Sequence, residues 1–101
     1  MPKFRKKPVE IEAILHTQMD HDDTGPFPVF QTDPTGWLTD AMERPDGADG
    51  EVFWDDDGLK IRTLEGVHLA RPGDWILRGV QGEIYPCKLD IFAATYDVVE
   101  A

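Results

Sequence analysis

Cys87 stands between Pro86 and Lys88, and a thiol beside a cation can ionise early enough to act as a nucleophile. Such chemistry also needs a positioned base, and His16, His21 and His68 lie in distant segments. A small thiol packed in a strand is the simpler expectation, because free cysteine is mostly buried and inert. His16, Asp20, His21, Asp22 and Asp23 are metal-ligand types, but their spacing matches no defined site. Asp55-Asp56-Asp57-Gly58 opens like a calcium loop, yet the twelfth position counted from Asp55 is Gly66, which carries no carboxylate. A solvated turn is expected there. The chain holds no Walker loop, dinucleotide fingerprint or nucleophile elbow. These residues predict no catalytic group, no metal site and no cofactor.

A second set points to binding. Lys60, Arg62, His68, Arg71, Arg78 and Lys88 all fall in the C-terminal half, interleaved with Trp75 and Tyr85. Guanidinium forks beside aromatic faces suit a nucleotide or another anionic small ligand. The competing expectation pairs these cations with Glu65, Asp74, Glu83 and Asp90 as surface ion pairs of small energetic weight. Trp37, Trp54 and Trp75 are needed first for the core, since a domain of this size depends on large side chains.

The elements that must position these residues follow from periodicity and turn residues. Val9 to His16 alternates as a strand, with Val9, Ile11, Ala13 and Leu15 on the expected buried face. His21 to Thr35, with three prolines and Gly25, is expected to be an irregular loop. Gly36 to Arg44 suits a short helix with Trp37, Leu38, Ala41 and Met42 on one side, followed by a strand at Glu51–Trp54. A three-residue hairpin loop, Leu64-Glu65-Gly66, would pair Thr63 with Val67 and Ile61 with Leu69. That register buries Leu59, Ile61, Val67 and Leu69 and gathers Lys60, Arg62 and His68 on the opposite face. Trp75–Val80 and Glu83–Lys88 are strands joined by a turn at Gln81-Gly82, and their doubly apolar pattern demands cover on both faces. Asp90 is placed to N-cap a helix over Ile91–Thr95, with Phe92 and Tyr96 four apart, before a last strand at Asp97–Val99. The expected architecture is a single α+β domain over residues 1–101. It has a strongly curved, mainly antiparallel sheet, barrel-like in the limit, with one or two short helices.

Composition bounds the setting. The net charge is −10, and residues 17–57 alone carry −11, forming an acidic loop and helix region ahead of a β-rich core at 58–99. Duplex nucleic acid is an unsuitable partner, because phosphate contact wants a basic footprint. No apolar run reaches the roughly 18 residues of a membrane helix. The basic start at Lys3–Lys7 is not followed by the apolar stretch of a signal peptide. One cysteine allows no internal disulfide and fits a reducing cytoplasm.

Two stretches together carry a resemblance. Arg5-Lys6-Lys7-Pro8-Val9-Glu10-Ile11-Glu12-Ala13 is the first, and Thr63-Leu64-Glu65-Gly66 fits the same pattern. The second runs Gly73-Asp74-Trp75-Ile76, Gly79-Val80, Gly82-Glu83, Tyr85-Pro86-Cys87-Lys88 and Asp90-Ile91-Phe92, with Tyr96 beyond. They resemble a group of small accessory proteins encoded by bacteriophages and prophages, over roughly half of the chain. Leu89 departs from the group, which usually has proline there. The resemblance implies work in a bacterial host cytoplasm and brings no catalytic residues. The expected function is a non-enzymatic binder, counter-defensive in role, that sequesters an anionic, nucleotide-like ligand or occupies a host protein. The alternatives are a structural module of a virion or assembly and, behind it, a small enzyme. A homo-oligomer is the expected way for so small a chain to form a deep pocket.

Overall fold

The computed structural model describes residues 2–3 and 10–97. Its elements are β1 (Glu12–Asp22), β2 (Gly25–Phe30), α1 (Trp37–Met42), β3 (Val52–Asp55), β4 (Gly58–Thr63), β5 (Gly66–Ala70), β6 (Trp75–Arg78), β7 (Ile84–Cys87) and α2 (Leu89–Thr95). The fold is α+β and its strand pairs are antiparallel, in agreement with the periodicity. The strands divide into two sheets, ordered β2-β1-β6-β7 and β3-β4-β5. The expected start of the first strand at Val9, and Val98–Val99 of the expected last strand, lie outside the described residues; Asp97 itself is irregular.

Three hairpin turns share one chemistry. Asp22, Asp55 and Thr63 each pair directly with a glycine three residues on, leaving two-residue loops. In each, the first side chain accepts the backbone N–H two residues later: Thr24 to Asp22 at 2.8 Å, Asp57 to Asp55 at 2.9 Å, Glu65 to Thr63 at 3.1 Å. This is the Asx or Ser/Thr turn, which bends the chain with its own side chain. The closing glycines sit at φ 122°, 128° and 122°, where a Cβ is strained.

That chemistry overturns two expectations. Residues 25–30 form β2 instead of loop, because Asp22-Asp23-Thr24-Gly25 folds the chain back onto β1. Pro26 and Pro28 are tolerated because β2 is an edge strand, where missing N–H groups break no ladder and discourage further pairing. The β4–β5 register also differs from the expected one: Ile61 faces His68, Lys60 faces Leu69 and Leu59 faces Ala70. The Thr63 hydroxyl, which also donates to the Gly66 carbonyl at 3.0 Å, fixes the shorter loop. Ala70 thus joins Leu59 and Ile61 in the core, while Val67 and Leu69 remain on the outer face, 47% and 40% exposed.

The inward face of β1 is also the reverse of the expected one. Ile14 and His16 are buried, and Ala13 and Leu15 are only half-buried. Ile14 lies in register with Ile76 and Pro86 on the face that meets the smaller sheet. There Ile14, Ile76 and Ile84 pack with Leu38, Ala41, Val52, Leu59, Ile61 and Ala70. Ala13 with Leu77 and Tyr85, and Leu15 with Trp75 and Cys87, form the opposite face. Phe92 of α2 stacks on Trp75 there, with ring centroids 4.4 Å apart. A seven-residue helix covers less than a sheet does, so this side stays half-open, although Leu77 is fully buried. The doubly apolar β6 is covered by the smaller sheet on one face and in part by α2 on the other. The layers run helix, sheet, sheet.

The helices match the pattern in position more than in capping. α1 buries Leu38 and Ala41 and rests Trp37 and Met42 against the core. α2 begins after Lys88, so Asp90 is not the N-cap; its carboxylate lies within the first turn and accepts the Ile91 N–H at 2.9 Å. The β6–β7 connection spans residues 79–83 instead of Gln81-Gly82 alone, closed by Gly79 N–H to Glu83 O and Gly82 N–H to Gly79 O.

Candidate functional site

The cations of the C-terminal half do not form one strip. Lys60 projects from the outer face of β4 and pairs with Asp55 at 2.7 Å and Asp57 at 3.6 Å. Its ammonium lowers the Asp55 carboxyl below the ordinary range, helped by the Asp57 N–H, and Asp55 in turn raises Lys60. Arg62, on the same face, places Nε 3.2 Å from the buried Glu51 carboxylate and its guanidinium 5.3 Å from the centroid of the Phe53 ring. The Gly47 N–H is the main cause of the lowered Glu51 pKa, with Arg62 adding to it. Arg78, the last residue of β6 and in register with Ile84, pairs with Glu12 at 3.0 Å. The ion-pair expectation holds for these three, but with acids from strands and turns earlier in the chain.

The other members are scattered. His68 is on the opposite face of the hairpin from Lys60 and Arg62, because the observed register sets it across from Ile61. Arg71 is exposed at the Pro72-Gly73 turn, where its N–H donates to the Asp74 carboxylate at 2.9 Å. Lys88 is exposed at the start of α2. Trp75 lies beneath Phe92, with its indole Nε1 buried and without a hydrogen-bond partner among the described residues. Tyr85 is half-buried beside Tyr96; burial first, then that contact, push its phenol up to about 12.

Two of the predicted residues do meet at a concavity. The end of the β4–β5 hairpin and the leading half of β7 enclose a cleft of about 510 Å³. Thr63, Leu64, Glu65 and His68 form one wall; Glu83, Ile84, Tyr85 and Pro86 form the other, and Asp49 also lines the space. Strand alternation explains the apolar floor, since Ile84 and Pro86 share the face of β7 that looks toward the smaller sheet. Turn chemistry explains the rim: the two-residue loop exposes Leu64 and Glu65, and the 79–83 loop delivers Glu83, whose Oε1 accepts the Gln81 N–H at 3.1 Å. Three carboxylates and one imidazole, with no lysine or arginine among the described lining residues, give a rim of negative potential. Asp49, Glu65 and Glu83 were outside the sequence-derived set, because they become neighbours only when the two sheets pack. The Thr63-Leu64-Glu65-Gly66 turn was the available signal.

The remaining candidates separate. His16 is buried while His21, Asp20, Asp22 and Asp23 are exposed, and no group of three possible metal ligands gathers among the described residues. Cys87 is half-buried, its Sγ 3.7 Å from the Lys88 carbonyl, and burial raises its thiol pKa, with Asp74 and Asp90 adding to the shift. No helix among the described residues is long and apolar enough to cross a membrane. Compared with protein-family models, curated proteins and solved structures, the chain matches none.

Proposed function

We propose that this chain is a non-enzymatic binding module of the phage accessory kind its motifs resemble. It acts in a bacterial host cytoplasm by occupying a host protein and holding one of that protein's basic side chains in the β4–β5/β7 cleft. The observation that carries the reading is the cleft's lining. An apolar floor of Ile84 and Pro86 suits the methylene stem of lysine or arginine, and Asp49, Glu65 and Glu83 suit its charged head. The net charge of −10 draws a basic partner from a distance and speeds encounter. An anionic ligand has less support, since Lys60, Arg62 and Arg78 are each held by a carboxylate.

Calorimetric titration with a short arginine-containing peptide at low salt tests the proposal. Glu65→Gln and Glu83→Gln should each weaken binding about fivefold or more, as expected when a charge-assisted contact of about 1.5–3 kcal/mol becomes a neutral one. Glutamine at 83 keeps the acceptor that the Gln81 N–H uses, so the loop should survive. Peptide binding indifferent to both changes would refute the cleft. Nucleotide binding that weakens in Arg62→Gln or Arg78→Gln would return the site to the cations.

A further inference from the structure

His16 is the one histidine with no exposure, and it sits where β1 leaves one neighbour for another. Residues 12–15 of β1 pair with β6, and from His16 onward the strand pairs with β2, with Thr17 bulged out of register. Three backbone bonds close this junction. His16 N–H donates to Asp74 O at 2.9 Å, Gly73 N–H donates to His16 O at 2.8 Å, and Gln31 N–H donates to Leu15 O at 2.9 Å. The imidazole lies inside, its ring 5.7 Å from that of Phe30.

Its surroundings serve one ring nitrogen and leave the other without a partner. Nδ1 lies 3.2 Å from the Val29 carbonyl, which can only accept, so Nδ1 carries the proton and Nε2 is the bare nitrogen. Nε2 is buried and has no partner among the described residues. A proton there would create a charged donor with no acceptor, a far costlier state than an unpaired lone pair. β2 faces the ring with the Val29 carbonyl and the Phe30 ring, both uncharged. The Val29 carbonyl and, from the turn before β6, Asp74 favour the imidazolium, but together less than burial opposes it.

We propose that His16 is a proton-operated clasp, closed when neutral and opened by protonation, which frees the β1 bulge from the 72–74 turn. This device is independent of the cleft. With its proton affinity lowered in the fold, the neutral ring stabilises the closed junction above the ordinary histidine value of 6.5. That contribution falls as pH drops from 6.5 toward the lower folded value, because the opened state binds the extra proton.

Amide hydrogen exchange of the whole chain, expressed as protection factors, tests the clasp. Between pH 7.5 and 5, protection at His16, Gly73 and Gln31 should fall, by up to tenfold per pH unit for one proton, while Ile61 in the smaller sheet keeps its protection. His16→Phe should remove the pH dependence at Gly73 and Gln31. A ring titration by NMR keeps the proposal falsifiable if that variant fails to fold. His16 should titrate below pH 6.5. Titration at or above 6.5, flat protection at the three amides, or an equal fall at Ile61 would each overturn it.

Discussion

Glu51 shows how a single carboxylate changes the weight of its partner. It is 5% exposed, held by the Gly47 N–H at 3.0 Å and by Arg62, so removing the guanidinium leaves a buried charge with one contact fewer. Arg62→Gln should lower the melting temperature clearly. Arg78→Gln should shift stability by only about 0.5 kcal/mol or less, because both it and Glu12 are exposed. Thermal unfolding of the two variants side by side checks this, and equal losses would contradict it. Cys87 gives a second prediction. Its thiol is half-buried and its pKa is raised, so at pH 8 iodoacetamide should alkylate it more slowly than free cysteine. Faster alkylation would reveal an activated nucleophile and revive a catalytic reading.

At the scale of elements, the turns control what the strands present. Gly66 closes the β4–β5 loop at φ 122°, with open space where a Cβ would sit, so Gly66→Ala tests conformation free of any clash. The expected loss is about 1–3 kcal/mol in denaturant unfolding, with the fold retained. A neutral result would mean that the turn relaxes to another register, and cross-strand NMR contacts from Ile61 would then move from His68 to a neighbour. α2 is the loosest element described. It has no buried residue and is held to the larger sheet by Phe92 on Trp75, with Tyr96 5.2 Å beyond Phe92. Its attachment is aromatic contact, not a buried apolar stripe.

For the whole molecule, acid is the condition that acts at several places together. Asp22, Asp55 and Glu51 all have pKa values lowered in the fold, chiefly by the Thr24 hydroxyl, Lys60 and the Gly47 N–H respectively. Each therefore stabilises the native state above its ordinary value, 3.8 for the aspartates and 4.5 for the glutamate, and loses that contribution as pH falls toward the lower folded value. Urea unfolding midpoints should fall steeply below pH 4.5, and Asp55→Asn should make that fall shallower. A midpoint unchanged between pH 5 and 3 would contradict the three contacts.

Whatever rests on short-range chemistry was legible in the order of the residues. Apolar runs between turn residues located β4, β6 and β7, the residues around Trp37 and Leu38 located α1, and the stretch after Lys88 located α2. Ile76 and Leu77, adjacent and both apolar, already required cover on two sides. The Asp22 and Thr63 turns were also legible as an acceptor side chain with a glycine three residues on, but prolines in β2 and the pattern Val67/Leu69 argued more loudly. Packing chose which face of β1 turns inward, because Ala13/Leu15 and Ile14/His16 are both apolar enough to be buried. The smaller sheet offers more apolar cover than α2, so Ile14 and His16 take it. The same packing settled the cleft. Glu65 and Glu83 stand eighteen positions apart on loops that belong to different sheets, and no local pattern brings them together. Side chains choose their turns locally, but a concave surface exists only where distant strands meet.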